Sequence, residues 1–92
     1  MSAILTDNVA RSRFELGTQG DNGFIDYRRS GSTLFLNHAE VPAALAGRGV
    51  GTRLVTGALD LIRSRGERMV PVCPFIKAIV RRYPAYADLS VE

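Results

Sequence analysis

The sequence predicts an α+β (α/β) fold: an antiparallel meander leading into a strand–helix–strand crossover with splayed parallel strands, and then a second helix. Three observations carry this. Strand-like runs separated by dense turn residues precede Val41. The apolar period changes to that of a helix at Val50. A short apolar run, Met69 to Cys73, follows and leads into Pro74, a residue suited to the first position of a helix.

In chain order, the residues up to about Asn8 read as a loose end. Arg11 to Gly17 (RSRFELG) reads as an edge strand, and Gly17 to Gly23 (GTQGDNG) as a turn. Phe24 to Arg29 alternates, with Phe24, Asp26 and Arg28 on one face and Ile25, Tyr27 and Arg29 on the other. The brief turn at Ser30 to Ser32 joins it to the next strand as an antiparallel hairpin. Thr33 to Val41 (TLFLNHAEV) is the third strand. Strict alternation puts Leu34, Leu36, His38 and Glu40 on one face and Phe35, Asn37, Ala39 and Val41 on the other. Both faces begin apolar, which predicts a central strand covered on both sides.

Beyond the third strand, Val50, Leu54, Ala58, Leu61 and Ile62 recur at helical spacing, with Arg53, Asp60, Arg63 and Ser64 turned outward. The expected helix runs from Gly51 to Arg65 and stops at Gly66. Met69 to Cys73 then reads as a strand parallel to the third. Pro71 has no amide hydrogen to donate, so that pairing is expected to be irregular or splayed. The second helix starts at Pro74, buries a stripe of Phe75, Ile76, Ile79, Val80 and Tyr83, and ends at Pro84. The remaining residues return as a tail, with Leu89 and Val91 pairing at an edge.

Composition narrows the partners. The 92 residues read as one domain, 1–92, with a modest core. The start lacks the apolar block of a signal peptide, and no run approaches the roughly 20 residues of a membrane span, so a cytoplasmic protein is expected. The one cysteine, Cys73, rules out an internal disulfide and a cysteine cage for metal, and no metal site is expected. The net charge is +3, with the basic residues crowded into the second half. Lys77 is the one lysine among 12 basic residues; arginine forks well onto phosphate oxygens. A phosphate-bearing partner follows. Aromatic residues are few and scattered, which favours a nucleotide cofactor over nucleic acid.

The stretch Val41 to Val55 (VPAALAGRGVGTRLV) concentrates that expectation. Gly47, Gly49 and Gly51 alternate ahead of the helix, so the backbone can bend tightly and a bulky ligand can approach its amides. The first helical turn has unpartnered N–H groups and partial positive charge, which suits a phosphate or pyrophosphate. A nucleotide-triphosphate loop would need Gly-Lys-Ser/Thr, which is not here, and the dinucleotide pattern would place its last glycine at Thr52 or Leu54.

The glycine motif, HAEV ahead of it and VCPF behind it together resemble the GCN5-related N-acetyltransferase (GNAT) superfamily, in particular a small stand-alone subgroup. The resemblance spans nearly the whole chain. It implies an acetyl-CoA-dependent acyltransferase that moves acetyl to an amine of a small molecule or a protein. Arg48, Gly49, Val50, Gly51 and Thr52 would line the pyrophosphate of coenzyme A, with Arg53 within reach. The acetyl-pantetheine arm would lie between the two parallel strands, beside Glu40, Val41 and Cys73. Direct transfer needs a base for the amine and an acid for the leaving thiolate. His38 and Glu40 are the candidate bases; an imidazole titrates near neutrality, which favours His38. Tyr83 is the candidate acid, with Tyr86 behind it, and both also suit a core. Cys73 precedes a helix, a setting that activates thiols, and is a candidate nucleophile for a covalent intermediate; the alternative is a packed, inert thiol.

Two departures matter. The motif position usually held by Arg or Gln is Ala46, and the pair of helices on which larger members seat the amine is absent. A coenzyme A-binding module without catalysis, acting as sensor or scaffold, is therefore the competing reading, and a basic nucleic-acid-associated domain is a third. A monomer or weak homodimer is expected.

Overall fold

The computed structural model describes residues 4–91. Five strands form one sheet in sequence order: β1 (Leu5–Asn8), β2 (Arg13–Leu16), β3 (Phe24–Ser30), β4 (Thr33–Glu40) and β5 (Arg68–Pro71). The first four are antiparallel neighbours, and β5 runs parallel to β4. Helix α1 (Val50–Ser64) makes the crossover between them. Helix α2 (Pro74–Arg82) and a 3-10 helix (Pro84–Leu89) complete the chain. The mixed sheet with its one parallel pair matches the predicted class.

The amino terminus departs from expectation. Residues 5–8 form an edge strand rather than a loose end, and this makes β2 an inner strand. Local sequence does not dictate β1, because Leu5 is its one strongly apolar residue. Tertiary contacts do. Leu5 packs against the core. The Asp7 carboxylate accepts the Tyr27 hydroxyl at 2.7 Å and pairs with Arg65 at 2.7 Å, tying β1 to β3 and to the end of α1. Burial, and then the Asp7 carboxylate, push the Tyr27 hydroxyl above its usual pKa.

One core cluster holds the fold. Phe14 and Leu16 of β2, Ile25 and Tyr27 of β3, Leu34 and Leu36 of β4 and Met69 of β5 meet Leu54, Val55, Ala58, Leu59 and Ile62 of α1. Ile76 and Ile79 of α2 join the same cluster, so both helices cover the same face of the sheet. Each such aliphatic side chain contributes roughly 1.5–3 kcal/mol of burial. Beyond α1, Gly66 at φ 68° closes the helix: its amide returns to Arg63, and the Glu67 amide returns to Ile62. The expected boundaries hold within one residue at each end.

The third strand is not covered on both sides. Phe35 stays outside the core cluster, with Arg28 lying 4.3 Å over its ring. The faces also differ from strict alternation. Asp26 lies opposite His38, while the next residue, Tyr27, lies opposite Leu36, so Asn37 is an inserted bulge residue. After the bulge Ala39 takes up the core side, and His38 and Glu40 turn to the open face instead of following Leu34 and Leu36.

The stripe of α2 needs a similar correction. Ile76 and Ile79 are buried and Val80 and Tyr83 half-buried, but Phe75 is 44% exposed. The tail is helical over Pro84–Leu89 rather than extended, and it returns to the free edge of β5 through a Met69–Ser90 bridge and a Val91 amide donating to Met69. Among the described residues no helix is long and apolar enough to cross a membrane.

Candidate functional site

Two features of the backbone make an opening. The first is the end of the β4–β5 ladder. Its last rung pairs Leu36 with Pro71. Pro71 has no N–H, and the next two amides, Val72 and Cys73, both donate to the Leu36 carbonyl, at 3.1 and 3.0 Å. The chain then turns into α2 while β4 runs on to Glu40. The two parallel strands therefore part from Asn37 onward, as the proline anticipates.

The second feature is the start of α1. Gly49 is its N-cap in the left-handed conformation (φ 74°), and no side chain caps the helix. A Cβ at Gly49 would meet nothing within 4 Å, so the space in front of the first-turn amides is open. Gly51 serves a different purpose. Its φ is ordinary, but a Cβ there would lie 2.7 Å from Phe75 Cζ. The missing side chain lets α2 approach α1, rather than letting a ligand approach the backbone. A cleft of about 400 Å³ lies at this helix start, lined by Val41, Ala46, Gly49, Thr52, Phe75 and Arg82 among others.

Phe75, which the sequence reading places in the buried stripe of α2, and Arg82, which it does not single out, both line this cleft. They stand seven residues apart, two turns, and so share one face of α2. That spacing is visible in the sequence, but Phe75 looks like core until α2 is placed. Arg82 supplies a cation beside the glycine loop, where Ala46 supplies none. Val50 and Gly51 line the cleft too, while Arg48 and Arg53 are exposed beside it.

His38 and Glu40 sit together on the open sheet face at the parted end of β4, both exposed. The His38 ring lies 6.3 Å from that of Phe24, which in turn carries Arg13 at 3.9 Å. Glu40 borders a smaller cleft of about 350 Å³ with Phe24, Val41 and Pro42, so Val41 separates the two openings. Cys73 is the N-cap of α2, buried and free, at the point where β5 leaves β4.

Tyr83 is not brought to this end. It is the C-cap of α2, ten residues past Cys73 and roughly 15 Å along the helix axis. It lines another cleft with Asp60, Arg63 and Tyr86. The Tyr86 hydroxyl donates to Asp60 at 2.8 Å; burial and that carboxylate raise its pKa. Among the described residues no group of three or more His, Cys, Asp or Glu side chains could hold a metal ion.

Comparison with known proteins agrees with this architecture. A family model for GCN5-related N-acetyl-transferases matches residues 13–89. The structure is similar to that of a GCN5-like protein from Staphylococcus aureus solved in solution by NMR, with a TM-score of 0.73 at 21% identity over 96% of this chain and 87% of the other. No curated protein matches the sequence. With the family model covering most of its length, the chain belongs to the GCN5-related N-acetyltransferase family.

Proposed function

We propose that the protein is a single-domain, acetyl-CoA-dependent enzyme that acetylates an amine. The observation that carries this reading is the uncapped start of α1 opening onto a cleft beside the parted strands. The helix-start amides at Gly49 to Thr52 would take the diphosphate, with Arg82 adding a positive charge. The pantetheine arm would fill the gap between β4 and the turn at Cys73, pairing with backbone groups of His38 to Val41.

Transfer then forms an N–C bond to the acetyl carbonyl and breaks its C–S bond. A backbone N–H of the parted part of β4 would polarise the carbonyl oxygen. His38 or Glu40 would take the proton from the amine, since both face the open side from which an acceptor can arrive. The departing thiolate needs a proton, and Tyr83 is too far along α2 from Cys73 to be the obvious donor. This distance favours solvent or the protonated base as the source. It also keeps the coenzyme A-binding module without turnover as the second reading.

Thiol release from acetyl-CoA over a panel of amines separates these readings. The account predicts turnover that falls at least about tenfold in His38→Ala or Glu40→Gln. Binding with no thiol release on any amine would favour the module. Intact mass after mixing with acetyl-CoA tests Cys73: an added acetyl group, absent in Cys73→Ala, would show the covalent route, in which the thiolate first takes the acetyl and then yields it to the amine.

A further inference from the structure

Three side chains share one rung of the sheet. Glu15 of β2 lies opposite Phe24 of β3, and Phe24 lies opposite Glu40 of β4. Phe14 and Ile25 face the core, so Glu15 and Phe24 project from the other face, which Glu40 joins after the bulge. The strand spacing puts the two glutamate α-carbons roughly 10 Å apart, with the aromatic residue between them. The cleft of about 350 Å³ that Glu40 borders lies at this rung, with Gly20, Phe24, Pro42 and Ala43 in its wall.

Glu15 is the one buried charged residue among those described, at 5% exposure. Its Oε2 accepts from the Asn8 side chain at 3.4 Å, a long contact from a neutral donor. Among the described residues no cation pairs with it. Arg13, two residues away on the same face, is committed to Asp26 at 3.1 Å and to the Phe24 ring at 3.9 Å. A buried carboxylate without a counter-charge is costly. Gly20, at φ 80°, covers it: a Cβ there would stand 3.6 Å from Glu15 Cγ and 3.7 Å from its Oε2. Glycine therefore leaves this carboxylate close behind the cleft wall.

We infer that this cleft selects an acceptor with two positive ends, a short aliphatic diamine whose reacting nitrogen lies at Glu40 and whose second ammonium settles against Glu15. The inference rests on the acetylation reading above and names its acceptor. One nitrogen gives up its proton and takes the acetyl group. The other stays an ammonium and supplies the counter-charge that Glu15 lacks. Val41, Pro42, Ala43 and the edge of Phe24 give the methylenes an apolar wall. Arg13 already lies over the Phe24 ring, so the carboxylates, not the ring, take the acceptor's charges. The openings on either side of Val41 thus carry opposite charge, with Arg82 at one and Glu40 at the other. That division suits a phosphate-bearing donor and a cationic acceptor.

Thiol release from acetyl-CoA with diaminobutane, butylamine and aminobutanol as acceptors tests this on the intact protein. The expected kcat/KM for diaminobutane is at least about tenfold above that for butylamine, with aminobutanol, whose far end is polar but neutral, close to butylamine. Glu15→Gln should remove most of the diamine preference and leave butylamine turnover unchanged, while Glu15→Asp should keep part of the preference. The comparison of acceptors on the parent protein needs no variant, so it decides even where Glu15→Gln does not fold. Equal kcat/KM for diaminobutane and butylamine, a preference that persists in folded Glu15→Gln, or faster turnover of an α-blocked lysine than of diaminobutane would overturn the inference and leave the acetylation reading standing. No thiol release with any amine would overturn both.

Discussion

Gly49→Asp is expected to fold like the parent and to bind coenzyme A about 100-fold more weakly. The position is the N-cap of α1 at φ 74°, where most side chains are strained. Aspartate is among the residues that tolerate the left-handed region, at a cost of about 1 kcal/mol. A negative charge at a helix start returns about 0.3–1 kcal/mol. Stability should therefore move little. Binding should not be spared, because the carboxylate would occupy the open space in front of the first-turn amides. Two phosphate charges about 5 Å from it, at an effective dielectric constant near 40, cost about 3 kcal/mol. Calorimetry with a parallel thermal melt reads both effects. Affinity within threefold of the parent would mean that the diphosphate does not approach this helix start.

Leu36→Ala should have the largest effect on stability, a loss of about 3 kcal/mol. Leu36 is fully buried in the one core cluster. It also occupies the last rung of the parallel ladder, and its carbonyl receives both the Val72 and the Cys73 amides. Truncation leaves a cavity between the sheet and the helices at the point where the strands part. For a domain of this size, that loss lowers the melting temperature by about 12–24 °C. A drop under about 4 °C would show that the site collapses around the change, and that the parting of β4 from β5 does not depend on this packing.

How far the sequence foretells these features depends on what each one rests on. Both helices, the parallel pair and the stop at Gly66 follow from period, glycine and proline, which act locally. The irregular end of β5 follows from Pro71 alone, because a missing N–H needs no tertiary context. The strand at residues 5–8 does not, since Asp7 is held there by Tyr27 and Arg65, which are distant in sequence. The bulge at Asn37 is likewise silent, and it moves His38 and Glu40 to the face opposite Leu36. Gly51 was legible as a required glycine, but not as the space that Phe75 fills. The nearness of Arg82 to the glycine loop depends on how α2 docks on α1, which no local pattern encodes.

The measurement closest to the central claim is an acetyl-CoA titration of the nitrogen-15-labelled protein followed by amide resonances. The account predicts saturable shifts largest at Gly49, Val50, Gly51 and Thr52, with a second group at His38 to Val41 on the parted end of β4. Unmoved resonances in both groups at millimolar acetyl-CoA, or shifts confined to the amino-terminal strands, would contradict it.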